Sequence, residues 1–322
     1  MSAGVALVTG ASGQDGSYLV DRLLDDGYAV HGLVRPEDVS SALPEALVVH
    51  EVDLGDTAAV RDLVLDLAPD EIFNLGGISS VAHSWTDPEL TARVSGLAAL
   101  TMLEAARHVQ ERDGRQVRFL QASSAEIFGE PDVSPQDEST AIRPLNPYGA
   151  AKAFAHHCVE VHRQRDLFAV NCVLYNHESP RRPHTFVTRK ITAAAARIAR
   201  DGGGVLSLGN LDARRDWGWA PDYVDAMVRA LHHETPDDYV VATGEARSVA
   251  EFVAAAFAHV GVTDWEAHVV IDPAFVRPTD ASLLVGDAGR ARQHLGWEPT
   301  VAFDELVGRM VETDVADLGV AS

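Results

Sequence analysis

A glycine-rich turn at residues 9–16, with the sequence Thr-Gly-Ala-Ser-Gly-Gln-Asp-Gly, most strongly limits what this chain can fold into. It follows an apolar segment, 6–9, that predicts a short buried strand, and it precedes helical spacing of apolar residues over 19–24. Glycines in such a turn let the backbone approach a pyrophosphate, whose charge the helix N-terminus stabilises. A purely structural turn could also require these glycines, but the strand before it and the helix after it favour dinucleotide binding.

Apolar segments alternate with helical spacing along the first half of the chain. The further predicted strands are 29–34, 47–52, 71–74, 117–122 and 168–175, and the predicted helices are 58–67, 90–109 and 148–165. This alternation predicts an α/β fold in which a doubly wound parallel sheet, of the Rossmann type, carries helices on both faces. We assign the dinucleotide-binding domain, with its catalytic residues, to residues 1–176.

The second half of the chain has a different pattern. A loop rich in Pro and Arg at 178–184 is followed by helical spacing over 186–200, 220–231 and 249–260, with short strands between these helices. We expect residues 177–322 to form a smaller C-terminal α/β region that mainly binds the substrate and completes a cleft over the sheet edge. No internal repeat or low-complexity linker separates the two regions, so we expect them to share one compact body.

The balance of charge excludes several classes of partner. The formal net charge is -22 at pH 7, and this acidic surface repels nucleic acid and anionic membranes. No apolar run approaches the ~20 residues that cross a bilayer, and the N-terminus lacks the basic region of a signal peptide. Cys158 and Cys172 are too few for a disulfide framework or a cysteine-built metal site. We therefore expect a cytoplasmic protein without a metal, in which any anion site needs its own arginines.

The ends of the predicted strands supply candidates for cofactor contacts. Arg35 follows the second strand, where an NAD site usually has an acidic residue for the ribose 2′-hydroxyl. An arginine there attracts a 2′-phosphate, so NADP is favoured over NAD, although a solvated surface arginine would look the same. Asp53 follows the third strand and is placed to contact the adenine end. The residues after the fourth strand, Leu75, Gly76 and Gly77, let the backbone come near the cofactor.

Tyr148 and Lys152 are a candidate catalytic pair. Their i, i+4 spacing places a phenol and an ammonium on one face of a helix. A free tyrosine has a pKa near ~10, and a nearby lysine favours the phenolate, which then accepts a proton from an alcohol as a hydride leaves. The chain contains only one other lysine, Lys190, so a lysine at position 152 indicates a need for a primary ammonium.

The strand 117–122 leads into Ser123, Ser124, Ala125 and Glu126. In an open parallel sheet, ligands lie at the carboxyl ends of the strands, so these side chains are expected at the same site. Ser124 is placed to donate a hydrogen bond to the oxygen that Tyr148 deprotonates. A simple dehydrogenase or 4-epimerase needs no further carboxylate, so Glu126 indicates removal of a carbon-bound proton next to a new ketone.

Four segments together carry a family resemblance. They are the glycine-rich turn extended over 9–19, Asn-His-Glu-Ser-Pro-Arg-Arg at 176–182, Thr-Phe-Val-Thr-Arg-Lys-Ile at 185–191, and Leu-Gly-Asn-Leu-Asp-Ala-Arg-Arg-Asp-Trp-Gly at 208–218. On these segments the chain resembles the extended short-chain dehydrogenases/reductases and, within them, the GDP-mannose 4,6-dehydratase family. Matches at 272–273, 277–279 and 295–297 extend the resemblance to nearly the whole chain.

The resemblance implies an NADP-dependent lyase that converts GDP-mannose to GDP-4-keto-6-deoxymannose, a step in deoxysugar biosynthesis. It implies that Glu126 removes the C5 proton and then protonates the departing C6 hydroxyl. The predicted catalytic residues are Ser124, Glu126, Tyr148 and Lys152. The predicted cofactor-binding residues are Gly10, Ser12, Gly13, Gln14, Asp15, Gly16, Arg35, Asp53, Leu54, Leu75, Gly76, Gly77, Ser79, Tyr148, Lys152, His177 and Arg182. The predicted substrate-binding residues are Glu126, Asn176, Val187, Lys190, Arg215 and Arg277.

The chain departs from the family pattern at three places. Ser124 stands where the family usually has Thr, Ala125 where it usually has Ser, and Pro-Glu-Asp at 36–38 where it commonly has a second Arg and a serine-rich loop that touches a neighbouring subunit. By resemblance we expect a homodimer through the helices that flank the sheet, with a tetramer as the alternative. The competing functions are a dehydratase for another nucleotide sugar, a 4-epimerase or reductase of the same fold, and a non-catalytic dinucleotide sensor.

Overall fold

The structure is a computed structural model, and it describes residues 3–38, 43–275, 279 and 281–320. Its strands are β1 (Val5–Thr9), β2 (Ala29–Val34), β3 (Val48–Glu51), β4 (Glu71–Asn74), β5 (Arg118–Ser124), β6 (Phe168–Leu174), β7 (Asn176–Glu178), β8 (Leu206–Leu208), β9 (Arg214–Trp219), β10 (Asp238–Val241), β11 (Ala246–Ser248), β12 (Val269–Ile271) and β13 (Leu283–Leu284). Its helices are α1 (Gln14–Asp25), α2 (Thr57–Leu67), α3 (Val81–Thr86), α4 (Pro88–Ala92), α5 (Ala98–Asp113), α6 (Pro147–Arg163), α7 (Val187–Asp201), α8 (Ala220–His232), α9 (Val249–His259) and α10 (Phe303–Val320).

Seven parallel strands form the main sheet, in the order β10-β6-β5-β4-β1-β2-β3. In the register of the sheet, Leu7 of β1 lies between His31 of β2 and Ile72 of β4. The chain runs outward from β1 through β2 to β3, then returns to the other side of β1 with β4. Strand order therefore reverses between β1 and β4, and this switch point is where an open α/β sheet forms a ligand crevice.

Helices cover both faces of the main sheet. On one face, α1 and α8 bury a core that includes Leu19, Leu23 and Met227. On the other, α2, α5 and α6 bury a second core that includes Met102 and Val159. The strands between these layers are covered on both faces, as the nearly continuous burial of β4, β5 and β6 shows. The predicted doubly wound parallel sheet is confirmed.

The C-terminal region forms a smaller body around its own core. Helices α7, α9 and α10 pack around side chains that include Ile191, Phe252 and Met310. A mixed sheet, in which β9 pairs with β7, β11 and β13, and the pair β8–β12 complete it. The predicted division at residue 176 stays a prediction, and two elements that follow it, α8 and β10, belong to the main sheet and its helical layer.

Two local features differ from the simple expectation. The helix predicted over 90–109 is α4 followed by a π-helical turn at Arg93–Leu97 and then α5, so the helical path contains a bulge. A short 3₁₀ turn, Ala125–Ile127, follows β5 and carries Glu126. Within the described ranges, no helix is long and apolar enough to span a membrane.

Candidate active site

The turn between β1 and α1 has the close backbone packing that its glycines predict. Gly10 has a φ of +68°, which favours glycine, and a Cβ on Gly16 would overlap the carbonyl oxygen of Gly10. Gly13 is the N-cap of α1 and supplies no side-chain hydrogen bond, so the first turn of α1 has no side-chain cap. A Cβ on Gly76 would lie 2.6 Å from Leu54 Cδ1. These positions place bare backbone at the sheet edge, as a bound pyrophosphate requires.

Two side chains of this turn connect it to the strand β7. The Gln14 amide nitrogen donates to the carbonyl oxygen of His177 over 3.0 Å, and Ser179 Oγ donates to Gln14 Oε1 over 2.9 Å. Asp15 Oδ2 lies 2.8 Å from His177 Nε2. Burial alone would lower the pKa of His177, but the carboxylate of Asp15 outweighs it and raises that pKa. The turn and the second half of the chain are thus held together.

A buried chain of hydrogen bonds crosses the carboxyl ends of three strands. Thr9 Oγ1 accepts from the amide of Gly76 over 2.9 Å and donates to Asn74 Oδ1 over 2.7 Å. Asn74 then donates to Gln121 Oε1 over 2.7 Å, and Gln121 donates to the carbonyl of Ala122 over 2.8 Å. Thr9, Asn74 and Gln121 are not among the predicted site residues, and the signal for them in the sequence is a polar side chain at or near the end of an apolar strand.

Tyr148 and Lys152 lie on the first two turns of α6 and face the end of β5. Lys152 Nζ donates to the carbonyl of Ala122 over 2.9 Å and lies 5.8 Å from the centre of the Tyr148 ring. Burial lowers the pKa of Lys152 to about 8, against the opposing charge of Asp15. Burial raises the pKa of Tyr148 to about 12, and a hydrogen bond from Ser124 acts in the opposite direction.

Glu126 lies beside this pair on the short turn after β5. Both side chains line the same cleft, and the negative charge of Glu126 adds to burial in raising the pKa of Tyr148. Its Oε2 accepts a hydrogen bond from the side-chain amide of Asn146 over 2.8 Å. Ser124 Oγ accepts from the backbone amide of Glu126 over 3.3 Å, so the serine also shapes the turn. A phenol, an ammonium, a hydroxyl and a carboxylate therefore meet at one end of β5.

The opposite side of the site carries cationic side chains. The Arg182 guanidinium lies 3.7 Å from the centre of the Phe186 ring, with Nε 3.2 Å from a carboxylate oxygen of Glu178. Lys190 Nζ donates to the carbonyl of Ser207 over 2.7 Å and lies 3.7 Å from the centre of the Phe275 ring. Burial lowers the pKa of Lys190.

Arg215 is buried in β9, where Nη1 donates to the carbonyls of Arg214 and Ala281, each over 2.8 Å. Together with Arg182 and Lys190 it gives the acidic chain a local positive wall. Arg277 lies outside the described residues.

A single cleft of about 850 Å³ brings the two sides together. The predicted residues that line it are Asp15, Leu75, Gly77, Ser79, Ser124, Glu126, Tyr148, Lys152, Asn176, His177, Arg182, Val187, Lys190 and Arg215. Further lining residues, to which the sequence assigned no role, include Trp85, Thr185, Phe186, Asn210 and Phe275. A smaller pocket of about 490 Å³ shares Lys190 and Phe275 with the cleft.

The remaining predicted cofactor residues lie around the switch point. The turn from β1 into α1 contains Gly10, Ser12, Gly13, Gln14 and Gly16. The turn after β4 contains Gly76. Leu54 is buried, and Asp53 accepts from the amide of Gly55 over 2.7 Å. Arg35 follows β2 and is paired with Asp38 at 2.7 Å and Glu37 at 3.3 Å.

These residues fit a nicotinamide dinucleotide. The turn of β1 presents backbone where a Cβ would collide, and the N-terminus of α1 favours a pyrophosphate. A Cβ on Gly77 would lie 3.8 Å from Lys152 Nζ, so the turn after β4 also reaches Lys152. The cleft continues from this edge to Tyr148 and Glu126.

Comparison with known proteins gives a consistent result. The model of the family GDP-mannose 4,6 dehydratase matches residues 7–310. GDP-mannose 4,6 dehydratase 1 of Arabidopsis thaliana is 44% identical over 97% of this chain and 90% of that protein, and the Homo sapiens GDP-mannose 4,6 dehydratase is 43% identical over 97% and 91%. Among solved structures, UDP-glucose 4-epimerase of Thermus thermophilus, in complex with NAD, has a TM-score of 0.81 at 28% identity, over 96% of this chain and 98% of that one.

Proposed function

The chain belongs to the GDP-mannose 4,6-dehydratase family, and on this premise we propose that it converts GDP-mannose to GDP-4-keto-6-deoxymannose with loss of one water. The observation that carries the proposal is the presence of Glu126 in the same cleft as Tyr148 and Lys152. The tyrosine and lysine serve oxidation and reduction of an alcohol. The carboxylate adds the base and acid that an elimination needs.

A nicotinamide cofactor supplies the redox chemistry: when bound, it accepts a hydride from C4 of the hexose and later returns one to C6. The glycines of the first turn would hold its pyrophosphate, and Lys152 its nicotinamide ribose. His177 and Arg182, which line the same cleft, would lie near it. The NAD-bound Thermus thermophilus structure supports a nicotinamide dinucleotide on this fold.

Tyr148 acts as the base for the C4 hydroxyl. Its phenolate takes the hydroxyl proton, and Ser124 donates a hydrogen bond to the same oxygen. Burial raises the pKa of Tyr148 to about 12 even though the Ser124 hydrogen bond and the charge of Arg182 act to lower it, so the phenolate needs further positive charge nearby. The ammonium of Lys152, on the same helical face, adds a further positive charge near the ring.

Glu126 carries the elimination. The new C4 ketone acidifies the C5 proton, and the Glu126 carboxylate removes it as the C5–C6 double bond forms and the C6–O bond breaks. The protonated Glu126 gives its proton to the departing hydroxyl, which leaves as water. Tyr148 then gives C5 the proton that it took from the C4 hydroxyl while C6 is reduced, so the sequence ends with Tyr148 and Glu126 in their starting states and a 4-keto-6-deoxy sugar.

The cationic wall of the cleft would bind the nucleotide diphosphate. Lys190 and Arg215 reach the cleft from α7 and β9, and arginines form paired, charge-assisted hydrogen bonds with phosphate oxygens. Asn176 and Val187 would contact the sugar nucleotide from β7 and the start of α7. Arg277 is proposed for the same role by resemblance.

The function is tested by following the mass of GDP-mannose incubated with the purified protein, first without and then with added NADP. We expect loss of one water, and a 4-keto product, without stoichiometric consumption of cofactor. Glu126→Gln, the matched variant, should bind the sugar nucleotide but not release water. An unchanged mass under both conditions would refute GDP-mannose as the substrate, and net reduction of the added NADP would indicate a simple dehydrogenase instead.

For the cofactor we propose NADP, because Arg35 follows β2 at the position expected for the 2′-phosphate. Its side chain is 58% exposed, and its pairs with Glu37 and Asp38 are surface ion pairs that a phosphate can displace. Arg35→Ala should weaken NADP binding about 10-fold or more, since a charge-assisted hydrogen bond contributes about 1.5–3 kcal/mol, and should leave NAD binding nearly unchanged. Titration calorimetry with both cofactors measures this, with the exposed Arg22→Ala as control; equal weakening of both cofactors contradicts the assignment.

For the assembly we propose a homodimer through the face formed by the π-helical turn and α6. Leu97, Phe154 and Val161 are 47%, 44% and 53% exposed on this face, which is unusually apolar for a charged surface. We also propose a reducing, cytoplasmic location, which the free thiols of Cys158 and Cys172 support.

A further inference from the structure

Asn146 connects the catalytic carboxylate to the helix that carries the catalytic tyrosine. The residue precedes α6 as its N-cap, and its side chain is buried. Oδ1 accepts from the backbone amide of Gly149 over 2.8 Å, and the amide nitrogen of the same side chain donates to Glu126 Oε2 over 2.8 Å. One planar amide therefore fixes two groups at once.

We propose that Asn146 is a positioning residue for the elimination step, acting through Glu126; the inference rests on the proposed dehydratase function. Its amide holds Oε2, whereas Oε1 accepts no hydrogen bond from the described residues. The carboxylate is thereby turned so that one oxygen is held by the protein and the other is left to face the substrate. A base fixed in this way loses little orientational freedom before it reacts.

The backbone brings α6 unusually close to the turn of Glu126, which makes this contact possible. A Cβ on Gly149 would lie 2.5 Å from the carbonyl oxygen of Glu126 and 3.1 Å from Pro144 Cβ. Glycine at position 149 therefore lets the first turn of the helix pack directly on the 3₁₀ turn. With this packing, the reach of an asparagine amide matches the position of the carboxylate.

A helix cap alone would need only the accepting oxygen of the Asn146 side chain, not its donating amide group. Serine is about as good an N-cap as asparagine, because its hydroxyl also accepts from the amide of the third helical residue. What serine lacks is a second, donating group that reaches Glu126. The two roles of Asn146 can therefore be separated by substitution.

The test compares Asn146→Ser with the wild-type protein on GDP-mannose deuterated at C5 or at C4. We expect turnover to fall about 10- to 100-fold, the range that misplacement of a catalytic group costs, with KM nearly unchanged. The C5 isotope effect should rise, because proton removal at C5 becomes slower than the other steps, while the C4 isotope effect should not. If Asn146 were only a helix cap, the substitution would lower the stability of the protein and leave the C4 and C5 isotope effects unchanged.

Two further variants keep the test decisive. Asn146→Asp retains the capping oxygen and the size of the side chain but replaces the donor with a charge that repels Glu126, so it should show the same rise in the C5 effect. This variant carries the test if Asn146→Ser does not fold. Asp56→Ala removes the cap of α2, where Asp56 accepts from Ala58 and Ala59, and should leave both isotope effects at the wild-type values.

The outcomes separate the inference from the function it rests on. If the wild-type protein removes water and both Asn146 variants keep its turnover and isotope effects, Asn146 is only a helix cap and the inference is wrong. If the wild-type protein itself does not remove water from GDP-mannose, the proposed function fails before the variants are considered.

Discussion

Lys152, which we propose as a catalytic residue, is buried at a cost to its charged form. Its ammonium is enclosed by the end of β5 and donates to the carbonyl of Ala122. An unfolded lysine titrates near ~10.4, but burial lowers the pKa of Lys152 to about 8 in the folded protein. The unfolded chain therefore binds this proton more tightly than the folded chain does, and the charged lysine destabilises the fold at neutral pH.

We predict that Lys152→Met raises the stability of the cofactor-free protein at pH 7, by roughly 2 kcal/mol, while it removes activity. The carbonyl of Ala122 stays satisfied, because Gln121 also donates to it. The gain should shrink as pH rises from about 8 towards 10, since wild-type Lys152 then loses its proton in the folded state. Thermal unfolding as a function of pH measures it. A lower melting temperature for Lys152→Met than for the wild-type protein would disprove the prediction.

The side chains proposed for catalysis differ in how far the sequence reveals them. Tyr148 and Lys152 are four residues apart, so their spacing alone places them on one helical face, and Glu126 follows a predicted strand. Asn146 is twenty residues from Glu126, and only the folded backbone shows that its amide reaches that carboxylate. The same applies to Thr9, which contacts Asn74 across 65 residues of sequence. Contacts between strand ends depend on sheet order, which local patterns do not encode.

At the scale of elements, the order of strands and helices in the first half follows the sequence pattern closely. Each parallel strand is a short apolar run followed by polar or glycine residues. The sequence therefore predicts both where the strand lies and which end of it faces a ligand. Strand β10 was not identified as part of the main sheet, because it lies beyond α7 and α8 in the second half of the chain. A bulge such as the π-helical turn at Arg93–Leu97 leaves the helical spacing almost unchanged. Pairing between strands that are distant in sequence, and small insertions in a helix, are therefore not predicted from local sequence patterns.

The turn from β1 into α1 gives the prediction that belongs to this scale. A Cβ at Gly16 would overlap the carbonyl oxygen of Gly10, whereas a Cβ at Gly203 meets nothing within 4 Å. Gly16→Ala should therefore shift the turn, weaken cofactor binding at least about 10-fold and destabilise the fold by roughly 1–3 kcal/mol. Gly203→Ala, the matched control, should change stability by less than about 0.5 kcal/mol. Calorimetry and cofactor titration measure both; wild-type binding by Gly16→Ala would show that the turn is not the pyrophosphate site.

At the scale of the whole molecule, charge and apolar surface are distributed unevenly. The chain carries a formal net charge of -22, yet its cleft is lined by Arg182, Lys190 and Arg215. The acidic remainder keeps copies of the chain apart, so stable association needs a face where apolar burial outweighs repulsion. We propose the face with Leu97 and Phe154 for this contact, because both side chains are exposed and neither lines the cleft.

The proposed dimer is tested by placing a charge in that face. Phe154→Asp introduces a carboxylate at the centre of the apolar contact, where two copies would bring equal charges together without solvent, so we expect the dimer to dissociate to monomers. Val315→Asp adds the same charge at a similarly exposed position, 47%, on α10, and should leave the assembly intact. Sedimentation velocity at micromolar concentration distinguishes the two masses. A monomeric wild-type protein would show that there is no dimer, and a dimeric Phe154→Asp protein would place the interface elsewhere. Dissociation of Phe154→Asp but not of Val315→Asp would assign the interface to α6.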